Sequence, residues 1–136
     1  MNKDIEISEY TGVGYLPVID YDKWRIAILR YIDELEVQNI QSMQKHNETD
    51  EVFVLLEGEC VLFSCGNGQE LDEIKAVKME PLKLYNVKKG VWHTHTLKKG
   101  TSVLIVENKN TSDENSPTKI LTDDLKKQLI YSFNKI

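Results

Sequence analysis

Apolar residues in this chain fall in short runs, rich in β-branched and aromatic side chains and separated by Gly, Asn, Asp and Lys, as strands joined by tight turns require. The runs predict strands over Trp24–Ile32, Leu35–Met43, Glu51–Leu56, Glu59–Ser64, Ile74–Met79, Leu82–Val87, Val91–Leu97 and Thr101–Glu107. Strands this closely spaced, with no helical segments between them, predict an all-β sandwich or barrel rather than alternating β and α units. Glu57-Gly58, Gly66-Asn67-Gly68, Lys89-Gly90 and Lys99-Gly100 supply the corners, and Pro81 falls between two runs, where a missing backbone donor does little harm.

The run Val52–Leu56 is apolar at every position, as expected of a strand buried on both faces, and belongs near the centre of the fold. Residues 1–22 read as an N-terminal arm, in which Gly12 and Gly14 give flexibility and Tyr10, Tyr15 and Tyr21 pack on the barrel or a neighbouring subunit. Residues 23–107 read as the barrel and 108–136 as a loop followed by a helix. Within that last part Asn108–Pro117 is polar, whereas Asp123–Phe133 carries Leu125, Leu129 and Phe133 four apart with Ile130 beside them. That spacing predicts an amphipathic helix, capped by Thr122, laid on the outside of the barrel or across a partner.

Composition narrows the class without changing the outline. A chain of 136 residues, 40% hydrophobic and 29% charged, fits one folded domain. The net charge of -5 comes from acidic and basic residues spread along the whole chain, which argues against nucleic acid, whose binders concentrate basic charge on one face. Lys88-Lys89 and Lys98-Lys99 each precede a glycine and read as solvated turns. No segment approaches the run of about 20 apolar residues that a membrane span needs, and the polar start of the chain lacks a secretory apolar region, so a cytoplasmic location is expected. Cys60 and Cys65 stand in no metal or redox spacing and read as reduced, structural residues. There is no nucleophile-elbow or phosphate-loop pattern.

The chain's three histidines, His46, His93 and His95, are therefore the most informative side chains. Glu51 follows His46 and heads the most apolar strand, where an ionised carboxylate needs a charge or hydrogen-bond partner. Positions 46 and 51 differ by an odd number, so the polar segment Asn47–Asp50 must interrupt the strand for both side chains to reach one interior. His93 and His95 share one strand face, while Trp92, Thr94 and Thr96 share the other. Trp92 reads as a core or interface aromatic.

His46, Glu51 and Gly58, followed much later by Gly90 and His93, resemble the two motifs of the cupin superfamily. Gln44 stands at the position of that family's first histidine, and Gln38, Leu82, Lys88 and Leu97 depart from its remaining positions. The resemblance implies a double-stranded β-helix, or jelly-roll barrel, with one divalent metal at its mouth held by His46, Glu51 and His93. Two imidazoles and a carboxylate suit Fe, Mn, Zn or Ni, Gln44 offers an amide oxygen, and His95 is either a replacement ligand or the acid/base group facing substrate. A metal-dependent enzyme of isomerase, lyase or dioxygenase type follows, acting on a small polar metabolite such as a sugar or a hydroxy- or keto-acid, and small single-domain cupins of this kind form homodimers. The alternative is a metal-free cupin that binds a small molecule without turnover, with Glu51 and a histidine kept as a buried hydrogen-bonded pair.

Overall fold

Alternation of inward and outward side chains sorts the strands into two facing antiparallel sheets in the computed structural model, which describes residues 3–136. In chain order the strands are β1 (Gly14–Tyr21), β2 (Trp24–Arg30), β3 (Ser42–Gln44), β4 (Glu51–Glu57), β5 (Cys60–Ser64), β6 (Lys75–Lys78), β7 (Tyr85–Val87), β8 (His93–Leu97), β9 (Ser102–Asn108) and β10 (Thr118–Ile120). One sheet runs β1-β2-β9-β4-β7 and the other β10-β3-β8-β5-β6, so successive strands repeatedly cross between them as in a jelly roll. A helix, α1 (Asp123–Lys135), closes the chain.

The inner core joins the two sheets through Ala27, Leu29, Phe53, Leu55, Leu62, Leu97, Val103 and Ile105. A second cluster lies on the outer face of the β8-β5 sheet, where Val61, Phe63 and Trp92 meet Leu121 and Leu129, with Leu125 and Phe133 of α1 packed alongside. Thr122 caps α1 by accepting from the backbone N–H of Leu125 at 3.2 Å. No described helix is long and apolar enough to cross a membrane.

Four expectations are corrected. The strand buried on both faces is β5, not β4, because α1 covers the second sheet and leaves the outer side of β4 open, with Leu56 exposed. Leu35–Met43 is not one strand: two 3-10 turns, Asp33–Leu35 and Val37–Asn39, precede the short β3. Tyr31 donates to the Asp33 and Glu36 carboxylates, and Asn39 Nδ2 donates to the Asp33 carbonyl, which folds this segment back locally. The expected strand Leu82–Val87 shortens to Tyr85–Val87, with Leu82 exposed at φ 70°. Finally, Gly14–Tyr21 is no loose arm but an edge strand paired to β2, with a bulge between Pro17 and Ile19 that accommodates the residue lacking an N–H.

Candidate active site

The site occupies one end of the space between the sheets. Glu51 heads β4 and shares its inward face with Phe53 and Leu55, while His93 opens β8 with its ring inward. His46 sits in the turn between β3 and β4, held by hydrogen bonds from Gly90 N to its own carbonyl at 2.8 Å and from Asn47 N to Asn115 O at 2.9 Å. The segment Asn47–Asp50 does interrupt the strand path, so His46 and Glu51 converge despite their opposite parity. Asp50 anchors this turn by accepting from Lys88 Nζ at 2.8 Å, Lys89 N at 2.7 Å and Asn86 Nδ2 at 3.1 Å. Those donors, Lys88 foremost, hold its carboxyl down to about 2.

His46 Nε2 lies 3.0 Å and His93 Nε2 2.9 Å from the same oxygen, Glu51 Oε1, and all three residues are buried. One candidate ligand atom from each residue lies within 4.8 Å of the others. The far nitrogens fix the tautomers. His93 Nδ1 donates to the Val91 carbonyl at 2.9 Å. Asn115 Nδ2 donates to Asn110 O, so Asn115 Oδ1 is an acceptor, and it takes the Ser116 hydroxyl proton at 3.0 Å. Ser116 Oγ is then left to accept from His46 Nδ1 at 2.7 Å. With both Nδ1 atoms protonated, a neutral ring would turn its Nε2 lone pair toward an anionic oxygen. That arrangement is stable only with a cation among the three atoms, either a metal ion or a proton on an imidazole.

The electrostatics agree. Burial pushes the Glu51 carboxyl up, but hydrogen bonds from His46 and His93 outweigh it and hold it down to about 2. Burial pulls His46 down, and its bond to Glu51 and that carboxylate's charge overcome this, so the imidazole is raised overall. His95 shares the inward face of β8 and its ring packs 5.7 Å from that of Phe53, but it is not in the converging group. Its Nδ1 is sealed without a partner, and burial lowers the ring to about 4, so it is neutral at physiological pH. Gln44 is the register partner of His93 across β3 and β8. Its Nε2 donates to Ser116 O at 3.0 Å, and among the described residues none donates to its Oε1. Trp92 lies on the opposite face, buried in the outer cluster with its Nε1 donating to Gly68 O.

His46, Glu51, His93, His95, Gln44 and Ser116 line a cavity of about 340 Å3 together with Arg25 and Glu107, which the sequence did not mark, and Tyr15, which it marked only as packing on the barrel or a partner. Glu107, near the end of β9, looks there like an ordinary polar strand terminus, yet it is buried and accepts from the Tyr15 hydroxyl at 2.6 Å. Tyr15 reaches it only because β1 is a strand of the sheet. Arg25 faces Glu107 across β2 and β9, with Nη2 3.6 Å from Oε1. Ser116 was equally hidden, since a loop serine carries no signal until the chain folds back over His46.

No family model and no curated protein matches the sequence. Solved structures do match in shape. A cupin-2 domain protein from Shewanella frigidimarina shares 16% identity over 74% of this chain and 85% of its own, with a TM-score of 0.52. A Streptomyces nucleoside dehydratase gives 9% identity over 85% of this chain and 86% of its own, with a TM-score of 0.58. A sugar 3,4-ketoisomerase from Thermoanaerobacterium thermosaccharolyticum, solved in complex with TDP, gives 17% identity over 72% of this chain and 67% of its own, with a TM-score of 0.55. The chain has the cupin fold. In this cupin barrel His46, Glu51 and His93 present one nitrogen or oxygen each toward a common point. Their donor chemistry fits a divalent metal, because both imidazoles are held in the tautomer that frees Nε2 for coordination.

Proposed function

We propose that this cupin is an enzyme acting on a small, sugar-like molecule, with a divalent metal of the Fe, Mn, Zn or Ni class held by His46, Glu51 and His93 and a further contact from Gln44 Oε1. The observation that carries the reading is the pair of Nε2 atoms on one carboxylate oxygen, each with its Nδ1 committed elsewhere. When bound, such an ion supplies Lewis acidity to a carbonyl or hydroxyl oxygen. The protein's own groups orient the substrate. His95 is neutral with Nδ1 sealed, which leaves Nε2 as the ring nitrogen able to meet a substrate oxygen as a hydrogen-bond donor. Leu29 and Ile105 give the cavity an apolar side, and Phe53 packs against the rings of His93 and His95 behind it. The Streptomyces dehydratase has been solved with uridine, and a neighbour from Campylobacter jejuni is a TDP-fucose 3,4-ketoisomerase; both support a substrate with a sugar ring, and isomerase or lyase chemistry.

Elemental analysis of protein expressed with ample metal tests the proposal. The expected result is about one ion per chain, lost in His46→Ala and Glu51→Ala. A metal-free wild type would overturn the metal, and metal that survives both substitutions would overturn the ligand assignment. The raised proton affinity of His46 favours one second reading, a metal-free binding module in which an imidazolium pairs with Glu51. Ligand binding without turnover by metal-free protein would select it. The proposal includes a cytoplasmic homodimer, joined through the exposed Leu16, Tyr21 and Trp24 at the β1 edge. Sedimentation at the mass of one chain would contradict the dimer.

A further inference from the structure

One segment of the cavity wall has nothing apolar to hold it in place. Residues 109–116 are Lys, Asn, Thr, Ser, Asp, Glu, Asn and Ser, so hydrogen bonds must do for it what apolar burial does for the strands. The segment follows β9, makes a 3-10 turn at Asp113–Asn115 and leads into β10 of the second sheet. Thr111, Ser112, Asp113 and Ser116 line the cavity. Its last residues hold the triad's neighbourhood together. Ser116 Oγ accepts from His46 Nδ1 at 2.7 Å, Ser116 O accepts from Gln44 Nε2 at 3.0 Å, and Asn115 O accepts from Asn47 N at 2.9 Å.

Both ends of the segment are tethered. Lys109 N donates to Lys23 O at 2.8 Å and Asn110 Nδ2 to Glu48 Oε1 at 3.2 Å, while beyond the far end Lys45 N donates to Pro117 O at 3.1 Å. Over residues 111–114, apart from bonds between near neighbours, one hydrogen bond arrives among the described residues: Arg25 Nη2 donates to Thr111 O at 2.9 Å. Arg25 Nη1 donates to Lys109 O at 3.3 Å, so the fork of one guanidinium spans two carbonyls of the segment. The fork is itself aimed. Arg25 stands opposite Glu107 across β2 and β9, with Nη2 3.6 Å from Glu107 Oε1, and the Tyr15 hydroxyl donates to the same oxygen at 2.6 Å.

We infer that Arg25 is a positioning residue for this site: by gripping the Lys109 and Thr111 carbonyls it holds residues 109–116 against the cavity, and through Ser116 it keeps a proton of His46 on Nδ1 and turns Nε2 toward Glu51. The inference rests on the reading of His46, Glu51 and His93 as the functional centre. His93 is independent of the grip, because its Nδ1 donates to the Val91 carbonyl and not to this segment. The two imidazoles therefore respond differently when Arg25 is replaced.

Each Nδ1–H is held by a hydrogen bond, so both His46 and His93 should give exchange-protected imidazole signals in 1H–15N spectra of full-length protein stripped of metal by a chelator. In Arg25→Met the His46 signal should vanish or exchange with water at least about ten-fold faster, while that of His93 persists. Arg25→Lys keeps the charge without the fork, and should leave His46 unprotected as well. In chelator competition Arg25→Met should bind Zn2+ about ten-fold or more weakly than wild type. The losses of Arg25→Met and Ser116→Ala should not multiply in the double variant, because both act on one bond. Absence of the His46 signal from wild type, its protection in Arg25→Met, its full recovery in Arg25→Lys, or Zn2+ losses that multiply would each overturn the inference. Loss of the His46 and His93 signals together would also overturn it, since Arg25 would then only support the fold. If Arg25→Met does not fold, Arg25→Lys decides. Wild type that binds no Zn2+ overturns the metal, and the Nδ1–H signals still decide this inference. Wild type that binds Zn2+ through the triad, with His46 protected in both Arg25 variants, overturns this inference alone.

Discussion

Replacing Ser116 by Ala removes the oxygen that accepts from His46 Nδ1 and leaves that buried N–H without a partner. The expected cost is about 1–3 kcal/mol of stability in denaturant unfolding. Because the lost bond also sets the tautomer, metal affinity should fall about 10–100-fold in a competition titration with a chelator. Unchanged affinity would mean that Ser116 does not govern His46. At this scale the sequence was readable where chemistry is rare. Three histidines and a glutamate heading an apolar strand stand out in any chain, and strand parity alone demanded the break at residues 47–50. The site roles of Ser116, Tyr15, Arg25 and Glu107 were not readable, because they come from neighbours far along the chain, such as the separation of 92 positions between Tyr15 and Glu107.

Elements set these side chains, and two joints between them can be tested. Gly58 connects β4 to β5 at φ +86°, and a Cβ there would come within 2.5 Å of the Thr101 Cα. Gly58→Ala therefore combines left-handed strain with a backbone clash, and should destabilise by more than about 1 kcal/mol by thermal or urea unfolding. The second joint is Asp50, which ties the turn before β8 to the head of β4. Its folded carboxyl is depressed to about 2 from an ordinary 3.8, so its contribution is full above the unfolded value and is lost as pH falls through the folded one. Urea midpoints of wild type should thus fall faster than those of Asp50→Asn between about pH 4 and pH 2. Parallel curves would show that the clamp does not stabilise the fold. Periodicity revealed most strands and the helix, but not β1, whose Pro17 and bulge imitate a loop, nor β10, whose three residues have no apolar pattern.

The whole molecule is asymmetric: one sheet is covered by α1, and the outer face of the other is bare. Which strand is buried on both sides follows from that cover and not from local apolarity, so β5 and not the equally apolar β4 has both faces buried. Leu129, 1% exposed, fastens the helix to the outer cluster. Leu129→Ala should cost about 2–5 kcal/mol while leaving the imidazole resonances of the distant cavity in place. Their loss together would show that the helix and the site fold as one unit. The jelly roll itself was readable from run spacing and from the resemblance of His46, Glu51, Gly58, Gly90 and His93 to the cupin motifs, whereas the row of Arg25, Glu107 and Glu51 emerged only when β2, β9 and β4 aligned. His46, Glu51 and His93 are proposed to meet their need for a cation with a divalent metal. Crystals of metal-replete protein, with diffraction recorded at the absorption edge of the metal found by elemental analysis, test it most directly. An anomalous peak enclosed by His46 Nε2, His93 Nε2 and a Glu51 carboxylate oxygen is the predicted result, and no peak there, or one bound elsewhere, would contradict it.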